Sequence, residues 1–260
     1  MIPIRDNKSS YLFPWVTVIL IALNVAVFFF QLSLSDDPSL LVNVVPWREQ
    51  GVTFGDYEGL SAYDRVRISP RRKFIFRFGL VPGELTSFSD LPPKIGLSVF
   101  FTLLSSMFLH GGLLHLGGNM LFLWIFGDNV EEAMGRFKFL LFYLLSGMGG
   151  ALFQILTHLK SGVPMIGASG AIAGVMGAYF LLYPGSRILT IVPLFFFFTF
   201  VEIPALILLG LWFFFQLMRG LMGAGAEVAF LAHVGGFIVG ALLTPYFKRR
   251  NISIELFRYF

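Results

Sequence analysis

Cysteine is absent from the 260 residues, which excludes disulfides, thiol nucleophiles and thiolate metal sites and leaves the redox state of the compartment open. Charge is scarce as well. Only 13% of residues are Asp, Glu, Lys or Arg, against about 25% in soluble domains, so a chain of this length cannot clothe an ordinary water-facing surface. The net charge is +4, but the basic residues form no stripe interleaved with exposed aromatics, which excludes nucleic acid as the partner. No small-residue cleavage site follows the first apolar run, so Met1 to Gln31 reads as a retained span rather than a removed signal peptide. No internal repeat is found.

What the sequence has is apolar bulk: 56% of residues are hydrophobic, and several runs approach the ~20 residues a helix needs to cross hydrocarbon. The pattern predicts six spans at 12–32, 112–127, 137–156, 168–183, 203–218 and 229–247. Residues 1–11 form a short N-terminal segment and 248–260 a basic tail. Between the first two spans, 33–98 is punctuated by Pro38, Pro46, Gly51, Gly55, Pro70, Pro82, Pro92 and Pro93, which predicts a long outer loop, partly ordered, with short helices. The stretch Ile188 to Met218 is too long for one span and is interrupted by Pro193, Glu202 and Pro204. A fifth span starting near Pro204 suits proline's tolerance in a first turn. Ile188 to Phe200 then lies in the membrane interface, with a true seventh span as the alternative. Phe195 to Phe198 reads as lipid contact.

Short segments rich in Lys and Arg mark the cytoplasmic side. With the N-terminus inside, Arg5, Lys8, Arg136, Lys138, Arg187, Lys248, Arg249, Arg250 and Arg258 fall inside, and only Lys160 and Arg219 lie in short outer loops. Both termini are expected to be cytoplasmic, in a plasma or inner membrane, with an organelle membrane as the alternative.

Polar side chains inside such spans are costly and tend to mark function or packing. Here they share a depth. His110, His115 and Asn119 fall at the start of span two, Ser169 at the start of span four and His233 near the start of span six; even-numbered spans run in one direction, so all five lie toward the outer face. A seventh span would put His233 at the opposite face. His115 and Asn119 are spaced i, i+4 on one helix face. Ser169, Ala173 and Gly177 repeat at four residues, and His233, Gly236 and Gly240 follow at i, i+3 and i+7, faces small enough for two transmembrane backbones to approach closely.

A serine hydroxyl attacks only when a base within hydrogen-bond reach takes its proton. His233 serves if neutral, and no acidic residue in 168–183 or 229–247 holds it protonated. Ser169 and His233 therefore suggest a dyad without the third acidic member of a triad; Glu227 is the nearest carboxylate, at the wrong spacing for one helix face. In Gly167-Ala168-Ser169-Gly170 the glycines allow a sharp turn at a helix N-terminus, where free N–H groups favour a developing oxyanion. Asn119 and His115 can add donors.

Taken together, His110-x4-His115-x3-Asn119, Gly167-x-Ser169-Gly170 and Ala232-His233-x-Gly235-Gly236 with Gly240 resemble the rhomboid family of intramembrane serine proteases over about residues 75–247. The resemblance implies an all-α polytopic membrane protein: a six-transmembrane helix bundle of rhomboid type with a long first outer loop and a catalytic core over 99–247. It implies that Ser169 attacks, that His233 acts as base and then acid, and that His115, Asn119 and the Ser169 backbone N–H hold the oxyanion. It makes His110 structural and implies no cofactor and no metal. The substrates implied are transmembrane segments of other proteins, cut near the membrane surface at small residues beside helix-destabilising ones, with span five and the outer loop before span six as gate and cap. Two positions depart from the family pattern. Phe100-Phe101-Thr102 stands where many members carry Trp-Arg, with Trp47-Arg48 too far upstream to replace it, and Ala173 stands where well-studied members place a tyrosine beneath the histidine.

Other readings stay in view. Zinc would need a better spacing than His-x4-His and a further ligand, and His158 beside Lys160 reads as solvated surface. A transporter would gather its polar groups near the midplane, often in inverted repeats. A non-proteolytic rhomboid relative that binds membrane proteins would be expected to lack the serine or the histidine. Oligomeric state is not legible.

Overall fold

The apolar runs fold as helices, the arrangement in which a chain within lipid satisfies its backbone polar groups internally. The structure, a computed structural model, describes residues 1–43, 65–90, 98–194, 197–223 and 228–256. The principal helices are α1 (Trp15–Ser33), α2 (Pro70–Phe78), α3 (Pro82–Ser87), α4 (Leu113–Met134), α5 (Arg136–Thr157), α6 (Ser169–Leu182), α7 (Ala205–Leu221) and α8 (Phe230–Phe247), with short helical turns over Val99–Phe108. Of these, α1, α5 and α8 are long and apolar enough to cross a membrane, and α4 joins them if counted with Val99–Phe108; α6 and α7 are apolar but shorter.

The chain is mostly helical, and the expectation of an all-α fold is corrected. Strands β1 (Ile2–Asp6), β4 (Arg187–Leu194) and β5 (Phe197–Pro204) form an antiparallel sheet in the order β1-β4-β5, while β2 (Leu40–Asn43) pairs with β3 (Arg65–Ile68). Residues 188–194 and 197–200 are thus strand, not a helical span. The physical reason is partly local: Ile188, Thr190, Ile191 and Val192 are β-branched, and Pro193 breaks a helix. It is also long-range, since β1 supplies a hydrogen-bonding edge, with Ile2 opposite Ile191 and Asp6 opposite Ile188. Pro3 lacks an N–H, and the β1 register shifts between Pro3 and Arg5.

The chain divides into two compact units, one of residues 1–22, 117–153 and 169–260, the other of 23–116 and 154–168. In the second unit, α2 begins on an N-cap. Ser69 Oγ accepts from the Arg72 backbone N–H at 3.1 Å, and Pro70 occupies the first turn, where its missing N–H costs nothing. The Arg71 guanidinium donates to the carbonyls of Gln31, Leu32 and Leu34 at 3.0 to 3.1 Å and pairs with Asp36. It thereby caps the carbonyl end of α1. These contacts tie the start of α2 to the end of α1.

In the first unit the start of α1 is held by a buried carboxylate. Glu131, 3% exposed, accepts from the N–H groups of Val16 and Thr17 at 3.0 and 2.8 Å and from the Thr17 hydroxyl at 2.9 Å. Asp6, in β1, accepts from the Asn129 amide at 3.0 Å and from the Tyr179 hydroxyl, joining the sheet to α4 and α6. The helices that matter most for the site, α6 and α8, meet backbone to backbone: a Cβ on Gly236 would collide with the Gly170 carbonyl, and one on Gly240 with that of Gly174. Helix α7 starts directly after Pro204, as proline chemistry suggested.

Candidate active site

Ser169 opens α6, and its two neighbours on the N-terminal side set its geometry. Gly167 has φ +125°, a conformation L side chains rarely adopt, and its N–H donates to the Ser106 carbonyl at 2.9 Å; Ala168 is fully buried. The turn ends where α6 begins, so the Ser169 hydroxyl stands at a helix N-terminus whose first N–H groups have no intrahelical acceptor.

His233 lies in the first turn of α8, on the face that follows Gly236 and Gly240. Because those glycines let α8 approach α6 at backbone distance, the short serine side chain reaches the ring. His233 Nε2 and Ser169 Oγ are 2.8 Å apart, joining residues 64 positions apart in the chain. Both side chains are half-buried. On the other side of the ring, Nδ1 lies 2.9 Å from Oε1 of Gln216 on α7. The ring centroid is 5.9 Å from that of Trp212, inclined at 31°, and 6.3 Å from Phe230, nearly perpendicular to it. Ala173, one turn into α6, is buried.

Asn119, in the same unit, is buried on α4. In the other unit, His110 is fully buried, and Gln31 brackets its backbone: the Gln31 amide donates to the His110 carbonyl at 2.7 Å and its Oε1 accepts from the His110 N–H at 3.4 Å. His115 is exposed, and its Nδ1 accepts from the Gly111 N–H at 3.4 Å, leaving Nε2 as the donor of the neutral ring. The rings of His110 and His115 are 5.1 Å apart, edge to face. Among the described residues no group of three or more His, Asp or Glu side chains is placed to hold a metal ion.

Sequence reasoning missed Gln216 and Trp212. A signal for Gln216 was present: it is the only uncharged polar side chain between Ala205 and Met218, and such a residue in an apolar helix tends to be functional. Glu227, considered above as a third member, and Trp47-Arg48 lie outside the described residues.

Comparison with known proteins identifies the family of the chain. Residues 98–250 match the family described as Rhomboid domain. RHOMBOID-like protein 4 of Arabidopsis thaliana is 31% identical over 242 residues, 89% of this chain and 52% of the relative. Rhomboid protein 1, mitochondrial, of Saccharomyces cerevisiae is 32% identical over 157 residues, 57% of this chain and 42% of that one. Rhomboid protease GluP of Bacillus subtilis is 44% identical over 84 residues, 32% of this chain and 16% of that one. The chain spans about half the length of the first of these and less of the others.

Proposed function

The chain belongs to the rhomboid family, and on that premise we propose that it is an intramembrane serine endopeptidase that hydrolyses peptide bonds in or next to transmembrane segments of other proteins. The observation that carries this reading is the 2.8 Å approach of Ser169 Oγ to His233 Nε2. A hydroxyl and an imidazole at that distance form a nucleophile and general base, and few other roles need a serine at a helix N-terminus facing a histidine from a different helix.

In the proposed mechanism His233 Nε2 takes the Ser169 proton as Oγ adds to the scissile carbonyl, then returns it to the leaving amine. Water attacks the acyl-enzyme by the same proton path in reverse. The Ser169 backbone N–H, Asn119 and the Nε2–H of His115 hold the oxyanion, His110 keeps its structural place, and Gly167, Ala168, Gly170, Gly236 and Gly240 set the turn and the helix approach. No cofactor enters the reaction. We assign six transmembrane helices, a long outer loop over 33–98, a catalytic core over 99–247, and cytoplasmic segments 1–11 and 248–260 in a cell membrane.

The test is cleavage of a panel of single-span reporters by the purified protein in liposomes, beside Ser169→Ala and His233→Ala. The expected outcome is a cut within or beside the reporter span by wild type and silence from both variants. If wild-type protein, shown to be folded, neither cuts the panel nor takes a fluorophosphonate label on Ser169, the proteolytic reading is wrong and a binding role replaces it.

A further inference from the structure

A neutral imidazole presents one N–H and one lone pair, and a histidine acts as base toward Ser169 only when the lone pair is on Nε2. Something must place the proton on Nδ1. No carboxylate occupies α6 or α8, Ala173 has no group beyond Cβ, and stacking on Trp212 constrains the plane of the ring without distinguishing its two nitrogens. Among the described residues, Gln216 does distinguish them: its Oε1 faces Nδ1 at 2.9 Å.

We propose that Gln216 is a positioning residue for the Ser169/His233 pair, its amide oxygen accepting the Nδ1–H of His233 and thereby holding the ring in the tautomer whose Nε2 accepts the serine proton. Oε1 has no hydrogen to give, so the 2.9 Å contact requires the proton on the histidine. With Nδ1–H committed to Gln216, the 2.8 Å contact at Nε2 runs from Ser169 Oγ–H to the ring lone pair. In the opposite tautomer Nε2–H would donate to Oγ and Nδ1 would meet Oε1 lone pair to lone pair until the Gln216 amide turned over to offer its N–H, so it is the amide orientation with Oε1 toward the ring that selects the Nδ1–H form. Gln216 thus occupies the place a carboxylate takes in a triad. Unlike a carboxylate it carries no charge, so it orients the base without adding an ion to an apolar helix, where a buried charge is expensive.

This role rests on the proteolytic reading for its kinetic consequence and not for its hydrogen bond, so two measurements separate them. The chain has four histidines. The ring nitrogen and carbon shifts of isotopically labelled protein, with the His233 signals assigned from His233→Ala, therefore report its tautomer directly. Wild type is expected to show the Nδ1–H form, Gln216→Leu to lose it and Gln216→Glu, which keeps an acceptor oxygen, to retain it. In liposome cleavage, Gln216→Leu is expected to lower kcat about 10- to 100-fold, a part of the roughly 100- to 10,000-fold that general-base catalysis supplies. KM should change little, and Gln216→Glu should recover most of the rate, with thermal unfolding in detergent monitored to show that both variants are folded. An Nε2–H form in wild type, an unchanged tautomer in Gln216→Leu, or a folded Gln216→Leu that cleaves at the wild-type rate overturns the proposal. Should the tautomer behave as expected while wild type neither cleaves nor labels, the hydrogen bond stands and proteolysis is what fails.

Discussion

Two carboxylates outside the catalytic pair carry separable consequences. Glu131 satisfies two backbone donors and a hydroxyl at the start of α1. Removing it leaves buried donors unpaired, a loss of about 1–3 kcal/mol per group. Glu131→Ala is expected to lower the thermal unfolding midpoint in detergent clearly, and Glu131→Gln, which sets an amide N–H against a backbone N–H, to fall between it and wild type. Asp6 behaves differently, because burial raises its pKa above 3.8 more than the Tyr179 hydrogen bond lowers it. A carboxyl with a raised folded pKa is destabilised by ionisation in the folded state. Its contribution to stability is therefore full below the unfolded pKa and is lost as pH rises through the folded one. Stability is expected to fall over that window, and Asp6→Asn to flatten the fall, as read from unfolding midpoints across a pH series. Neither role was legible in sequence, since each joins residues more than a hundred positions apart.

At the scale of elements, the approach of α6 and α8 decides whether the pair can form. A methyl at Gly240 has no room against the Gly174 backbone, and forcing one in costs about 1–3 kcal/mol through helix displacement. Gly240→Ala is expected to lower both the unfolding midpoint and the rate of Ser169 labelling, because the displaced helix carries His233 with it. Ser69→Ala is the contrasting case. It removes an N-cap worth about 1 kcal/mol from α2 and is expected to slow labelling not at all. The small-residue spacing of α6 and α8 was readable as a periodic pattern. The strand pair β4–β5 was not, because apolar β-branched residues beside a membrane span read equally as interface or helix until the β1 edge is known.

For the whole molecule, the lack of cysteine makes topology directly testable, since any introduced cysteine is the only thiol present. In sealed vesicles of known orientation, Ser9→Cys is expected to react with a membrane-impermeant maleimide from the cytoplasmic side and Met222→Cys, exposed after α7, from the opposite side. The same side for both would remove the assigned span order. The sequence by itself determined where the helices lie to within a few residues at most ends, and it singled out Ser169 and His233. It could do so because polar groups in apolar runs are few, and at matched depth on parallel spans they have little else to pair with. The α4 helix runs on to Met134 where the apolar pattern ended the span at 127, and in the added turns Asp128 accepts from the Asn129 N–H and Glu131 from those of Val16 and Thr17. Only the tertiary structure decided the β1-β4-β5 sheet, the Glu131 cap and the Gln216 contact. Each depends on hydrogen-bond partners brought together from distant or separate elements, and such pairings leave no period or local motif in the chain.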